Sequence, residues 1–185
     1  MVAVIITLFF ICLLAVLFYV ILTYNNLTRY RIEAENAWKQ IDVQLKRRYD
    51  LIPNLVEVVK GYMKYEQETL TKVMEARNRA VSARTPGEAA KAEGEVSGLL
   101  RQLFAVIENY PDLKANENAL RLQEELTSTE NKISFSRSHY NDVVANYTFL
   151  TQKFPSNMVA LAFNFPAKEY FEIAESDKEV PKVKL

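Results

Sequence analysis

Residues 2–22 read VAVIITLFFICLLAVLFYVIL, with Thr7 the one clearly polar member. No other feature narrows the structures open to this chain so far. At a rise of 1.5 Å per residue the run makes a helix about 31 Å long, close to the roughly 30 Å hydrocarbon core of a bilayer. Lipid offers backbone N–H and C=O groups no partners, so a crossing segment must satisfy them internally, as a helix does. The alternative is a cleaved signal peptide. Against it, no basic residue precedes the run, the apolar stretch is too long, and no A-x-A-like site follows. Bulky Phe10 and Ile11 precede Cys12, unlike the small residues before a lipid-attachment cysteine. The expectation is an uncleaved single-pass anchor, held by the lipid bilayer through residues 2–22.

The first charged residue is Arg29, so all 23 basic and 23 acidic side chains lie beyond the anchor. Zero net charge argues against nucleic acid as a partner, since a basic excess is the usual footprint of such binding. One Cys and one His leave no basis for a Cys/His zinc site or an intrachain disulfide framework. Four Gly leave none for a Gly-rich phosphate cradle. Arg29, Arg31 and Lys39 follow the anchor, whereas no Lys or Arg precedes it. The positive-inside rule therefore puts the C-terminal domain in the cytoplasm. Glu33 and Glu35 are interspersed, which keeps an extracytoplasmic domain as the alternative.

Beyond the anchor the apolar residues keep helical spacing nearly to the end. A first stripe takes Leu27, Tyr30, Ala34, Trp38, Ile41 and Leu45, and no Gly or Pro interrupts residues 23–49. Asp50-Leu51-Ile52-Pro53 reads as a restart, with Asp50 as N-cap and Pro53 in a first turn whose N–H groups lack intrahelical partners. A kink within one long helix is the competing reading. A second stripe takes Leu55, Val59, Tyr62, Val73, Ala76 and Ala80, with Gly61 in mid-helix at roughly 1 kcal/mol against Ala. After the turn Arg84-Thr85-Pro86-Gly87, a third takes Ala92, Val96, Leu99, Leu103 and Val106, with Leu100 and Ile107 beside it. Gly94 and Gly98 form a G-x-x-x-G pair, expected to pack within the chain, with a dimer seam as the functional alternative.

Asn109-Tyr110-Pro111-Asp112 is a turn, and Asn116 is a candidate cap. The fourth stripe, Ala119, Leu122, Leu126, Thr129, Ile133, Ser136, Tyr140, Val143, Tyr147 and Leu150, alternates steps of three and four without a fault. Four stripes joined by short turns bury one another best as an up-down bundle. The expected fold is all-α: an N-terminal transmembrane helix continuing into an antiparallel four-helix bundle of long helices, with a short C-terminal capping segment. Expected domains are the anchor at 1–25, the bundle at 26–153, and a short helix with an extended tail at 154–185. Met158, Leu161, Phe163 and Phe165 would form that short helix. Phe163, Phe165, Tyr170 and Phe171 are expected to cap the core, with docking on lipid or a partner as the alternative.

Several stretches resemble the LemA family of bacterial membrane proteins. The strongest is ENAWKQIDVQLKRRYDLIPNLVEVVKGY at 35–62; next come Tyr110-Pro111-Asp112-Leu113-Lys114-Ala115-Asn116 and Leu122-Gln123-Glu124-Glu125-Leu126. Thr129-Glu130-Asn131-Lys132-Ile133, Tyr140-Asn141-Asp142 and Phe154-Pro155-Ser156-Asn157 follow in order. Departures are minor: Ser136 and His139 stand where a small apolar and an aromatic residue are common. The resemblance implies an N-terminal anchor and a helical bundle, and it implies no reaction, cofactor or ligand.

Chemistry is hard to find. The residue three before His139 is Ser136, so the Glu-x-x-His pairs of a di-iron bundle are absent, as is a G-x-S-x-G elbow. Glu66 falls on the second stripe and is the candidate for carboxylate-only metal binding; a solvated face or a nearby Lys is the plainer role. Lys46, Arg47 and Arg48 form the candidate interaction patch, for anionic lipid or an acidic partner. Asp42 and Asp50, four residues to either side of it, would offset much of its field. The function expected is a membrane-anchored scaffold or adaptor that binds other envelope proteins, self-assembly included, with no catalysis and no cofactor. The alternatives are a metal- or small-molecule-dependent enzyme using bundle carboxylates, and a membrane-remodelling protein acting through the C-terminal aromatics.

Overall fold

The computed structural model describes residues 1–63 and 65–172, and among these every regular element is a helix. In chain order they are α1 (Val2–Lys60), α2 (Gln67–Val81), α3 (Pro86–Ile107), α4 (Pro111–Lys114), α5 (Glu117–Gln152) and α6 (Ser156–Ala162). The chain divides into two compact units, Met1–Ala37 with Tyr140–Lys168, and Trp38–His139 with Glu169 onward. The long helices α1 and α5 contribute to both. The expected extended tail lies outside the described residues.

The first unit holds the apolar run. Its side chains are exposed throughout 1–19, as a helix solvated by lipid requires, and it is the one described helix long and apolar enough to cross a membrane. Thr7 is tolerated there because its hydroxyl donates to the Ala3 carbonyl. Above the run, Leu27 of α1 and Tyr147 of α5 meet Val159, Ala160 and Phe165 in one buried cluster, against which Val20, Tyr30 and Leu150 pack. The Tyr147 hydroxyl is not stranded: it donates to the Pro166 carbonyl at 2.8 Å.

Helix α6 ends in a Schellman arrangement. Asn164 takes a left-handed φ of 52°, which Asn adopts more readily than most residues. The Phe165 N–H then reaches the Ala160 carbonyl at 2.9 Å and the Asn164 N–H the Leu161 carbonyl at 3.3 Å. The accompanying apolar contact is the packing of Phe165 on Ala160 in the same cluster. The aromatic C-terminal residues divide: Phe165 and Phe171 are buried, Tyr170 is half-buried, and Phe163 is exposed.

In the second unit the expected restart at Asp50 does not occur, and α1 runs through Pro53 to Lys60. A mid-helix proline removes one donor and leaves the carbonyl four residues back without its partner. That carbonyl belongs to Tyr49, and the Arg77 Nε of α2 donates to it at 3.0 Å. The tertiary bond replaces the missing one, so the helix passes through. The break falls instead at Gly61, in a turn where the Tyr62 and Met63 N–H groups both return to the Val59 carbonyl. Glycine has the weakest helix propensity after proline, and the fully buried Met63 anchors the turn. The second stripe is therefore shared between α1 and α2 rather than carried by one helix.

The caps follow the local code. The Thr85 Oγ1 accepts from the Glu88 N–H at 3.2 Å, with Pro86 entering the first turn of α3. The Asn116 Oδ1 accepts from the Asn118 and Ala119 N–H groups at 3.0 and 3.1 Å, starting α5 where expected. The buried face of α5 follows the fourth stripe, with Leu122, Ser136 and Leu150 half-buried. The third stripe needs correction. The face α3 buries is Ala89, Ala90, Glu93, Val96, Leu100, Leu103 and Ile107, while Ala92, Leu99 and Val106 are half-buried. Nor does Gly98 make a close packing contact among the described residues, since a Cβ there would meet nothing within 4 Å.

Candidate functional site

The second unit gathers its charge chemistry around one buried side chain, Arg48, which is 3% exposed. Its Nη1 donates to the Glu93 Oε2 of α3 at 2.7 Å and lies 2.6 Å from the Glu130 Oε2 of α5. Its Nη2 donates to the Ser97 Oγ at 3.0 Å, and that hydroxyl in turn donates to the Glu130 carboxylate at 3.3 Å. The Tyr49 hydroxyl donates to the second Glu93 oxygen. Glu93 is 2% exposed, so two opposite charges and a phenol are sealed into a layer crossed by α1, α3 and α5.

Electrostatics in that layer are dominated by burial. Loss of water pushes the Glu93 carboxyl above its ordinary value, and the neighbouring Arg48 guanidinium opposes that shift without cancelling it. Burial and the Glu93 charge together push the Tyr49 phenol up. The hydroxyl thus stays protonated and keeps donating. Beside the layer is a cavity of about 230 Å³, lined among others by Arg48, Ser97, Leu100, Phe104 and Glu130.

The three residues of the basic run are not brought together. Successive helical residues point about 100° apart, and the run diverges accordingly. Lys46 is exposed, Arg47 is exposed with its Nη2 3.6 Å from Glu125, and Arg48 faces the interior. Glu66 stands at the N-cap position of α2, and its carboxyl group beside the Tyr110 hydroxyl pushes that phenol up. No group of three or more His, Cys, Asp or Glu able to hold a metal ion occurs among the described residues. His139 is exposed.

An open groove of about 1130 Å³ runs along the second unit between α1 and α5. Val43, Leu120 and Phe135 supply its apolar lining, with Gln40, Gln44, Gln123 and Asn131 among its polar members and Lys39, Glu124 and Lys132 its charged ones. Phe135 is 79% exposed, an unusual position for a phenyl ring in water. Neither the buried ion layer nor the groove carries a motif in the sequence. Glu93 reads as a solvent-facing charge, although its spacing to Ala89, Val96 and Leu100 is that of a buried face. Val43, Leu120 and Phe135 lie beside the stripes rather than on them.

A model of the LemA family matches residues 37–185. The chain belongs to the LemA family. Among its relatives is the protein LemA of Metamycoplasma hominis, 27% identical over 92% of this chain and 79% of that one. Magnetosome protein MamQ of Magnetospirillum gryphiswaldense is 21% identical over 82% of this chain and 65% of its own length. MamQ 2 of Paramagnetospirillum magneticum matches to the same extent. This LemA family member is thus a membrane-associated helical protein with an N-terminal helix able to anchor it.

Proposed function

We propose that this LemA family protein is a non-catalytic membrane-anchored scaffold or adaptor that receives another envelope protein, or a second copy of itself, in the groove between α1 and α5. The carrying observation is the apolar lining of that groove by Val43, Leu120 and Phe135, left open on a face that the described residues do not cover. An apolar channel with amide and charged rims suits an amphipathic helix laid along it. A bundle of α1, α2, α3 and α5 would give the groove stiff walls. Bonds among those helices support this reading: Arg48 to Glu93 and Glu130, Arg77 to the Tyr49 carbonyl, and Arg79 to Glu95. Lys46 and Arg47 would add a cationic edge for an acidic partner.

A photoreactive side chain at Val43, activated in intact cells, is expected to capture a discrete protein partner identifiable by mass spectrometry. Phe135→Asp should weaken that capture about tenfold, the effect of losing one hot-spot side chain. Its stability should move by less than about 0.5 kcal/mol, because the ring is exposed. Absence of any discrete adduct, or turnover of a metabolite or peptide by the purified wild-type chain, would overturn the reading.

Orientation follows from Arg29, Arg31 and Lys39 on the C-terminal side of the span, which favours a cytoplasmic second unit. Protease added to intact cells is then expected to leave residues 38–172 uncut, while the same protease degrades them after permeabilisation. Cutting before permeabilisation would reverse the assignment.

A further inference from the structure

Helix α6 is apolar on two opposite sides, and among the described residues only one of them is packed against the rest of the protein. Val159 and Ala160 enter the buried cluster of the first unit, whereas Met158 and Leu161 point away from it, Leu161 85% exposed. Exposed Phe154 and Phe163 flank them at the two ends of the helix. The level of this surface along α1 is set by contacts within the same unit. Val20, inside the apolar run, packs on the cluster, and the Tyr24 ring meets Phe163 and Phe165 edge-on at 5.0 and 5.6 Å. Val20 and Tyr24 lie two residues to either side of Leu22, so at helical rise these contacts fall within about 3 Å of the point where the run ends.

The surroundings have the composition of a membrane interface. Lys153 lies over the Phe149 ring at 5.1 Å, Arg31 over Phe165 at 5.2 Å and Arg29 over Tyr30 at 5.0 Å. Long cationic side chains folded over aromatic rings keep their charge in water or among headgroups while their apolar stems lie along the rings. We propose that the outer face of α6, built from Phe154, Met158, Leu161 and Phe163, inserts into the same leaflet that the anchor leaves, as a second, shallow membrane contact. A polar partner protein would not match this face. Its continuity with a span that itself sits in lipid identifies lipid as the occupant.

The test uses the full chain in vesicles of phosphatidylcholine and phosphatidylglycerol at a 3:1 ratio, about the composition of an anionic bilayer. Cys12→Ala removes the native thiol, and Leu161→Cys or Met158→Cys in that background carries an environment-sensitive fluorophore. Both sites are exposed, so labelling leaves the fold intact, which far-ultraviolet circular dichroism verifies. With lipids brominated near the headgroup end of the acyl chain, emission is expected to fall by about twofold, as for a helix lying at the acyl boundary. The wild-type chain labelled at Cys12, inside the run, gives the deep-lipid reference. Emission at Leu161 and Met158 unchanged by shallow bromination overturns the proposal. That holds whether the label is then open to aqueous iodide, meaning a solvated helix, or shielded from it, meaning a protein neighbour.

Discussion

Replacing Arg48 with Met is expected to lower the free energy of unfolding by about 3–5 kcal/mol at pH 7, the range for removing one partner of a buried ion pair. The substitution keeps most of the apolar stem but removes the donors that face Glu93, Ser97 and Glu130. Glu130 is 45% exposed on its side chain and turns to water, whereas Glu93 cannot. The deficit should depend on pH with a definite sign. In the wild-type chain the Glu93 carboxyl is already held above its ordinary value of 4.5 by burial. Without Arg48 the principal opposing influence is gone, and its folded-state value rises further. Above pH 4.5 the folded variant then keeps a proton that the unfolded chain releases, so stability falls as pH rises through that window. Chemical denaturation of the full chain in detergent should therefore show a smaller deficit at pH 5 than at pH 7. The double variant Arg48→Met/Glu93→Leu is expected to recover most of the loss, because an apolar pair leaves no charge stranded. A single-variant loss below about 1 kcal/mol, independent of pH, would mean that the layer is hydrated rather than sealed.

Phe165→Ala should cost about 3–5 kcal/mol locally, the usual range for deleting a buried phenyl ring. The ring closes the cluster of Leu27, Tyr147, Val159 and Ala160, stacks edge-on with Tyr24 and carries the Arg31 guanidinium. It is also the residue whose N–H and side chain together complete the α6 terminus. Its loss should release residues 153–168 before anything else. Limited trypsin digestion is expected to show early cleavage at Lys153 and Lys168 in the variant and not in the wild type. Unchanged digestion, with a stability loss under about 1 kcal/mol, would contradict the packing described for α6.

Both effects sit where sequence reading was weakest. Local signals carried what depends on neighbours along the chain. The alternation of threes and fours from Ala119 to Leu150 marks the buried face of α5, and Thr85 and Asn116 start their helices through bonds to N–H groups two or three residues on. The groove and the ion layer depend on which helices meet. Arg48 lies 45 residues from Glu93, and although the spacing of Glu93 to Ala89, Val96 and Leu100 is that of a buried face, no local window names the counter-charge that makes its burial stable. Hydrophobicity alone even shifted the stripe of α3 sideways, because the position that belongs on it is a carboxylate.

The amino-acid order by itself determined the lipid-length helix, the all-helical class and membership in the LemA family, since each rests on composition, period or motif within a continuous stretch. Tertiary structure decided whether α1 would survive Pro53, whether Arg48 would face water or Glu93, and which apolar side chains of α6 would be left outside. A missing backbone donor is made good by a guanidinium from another helix, and a buried charge is stable only beside its counter-charge. Both are properties of pairs of distant segments, which no single window of the chain contains.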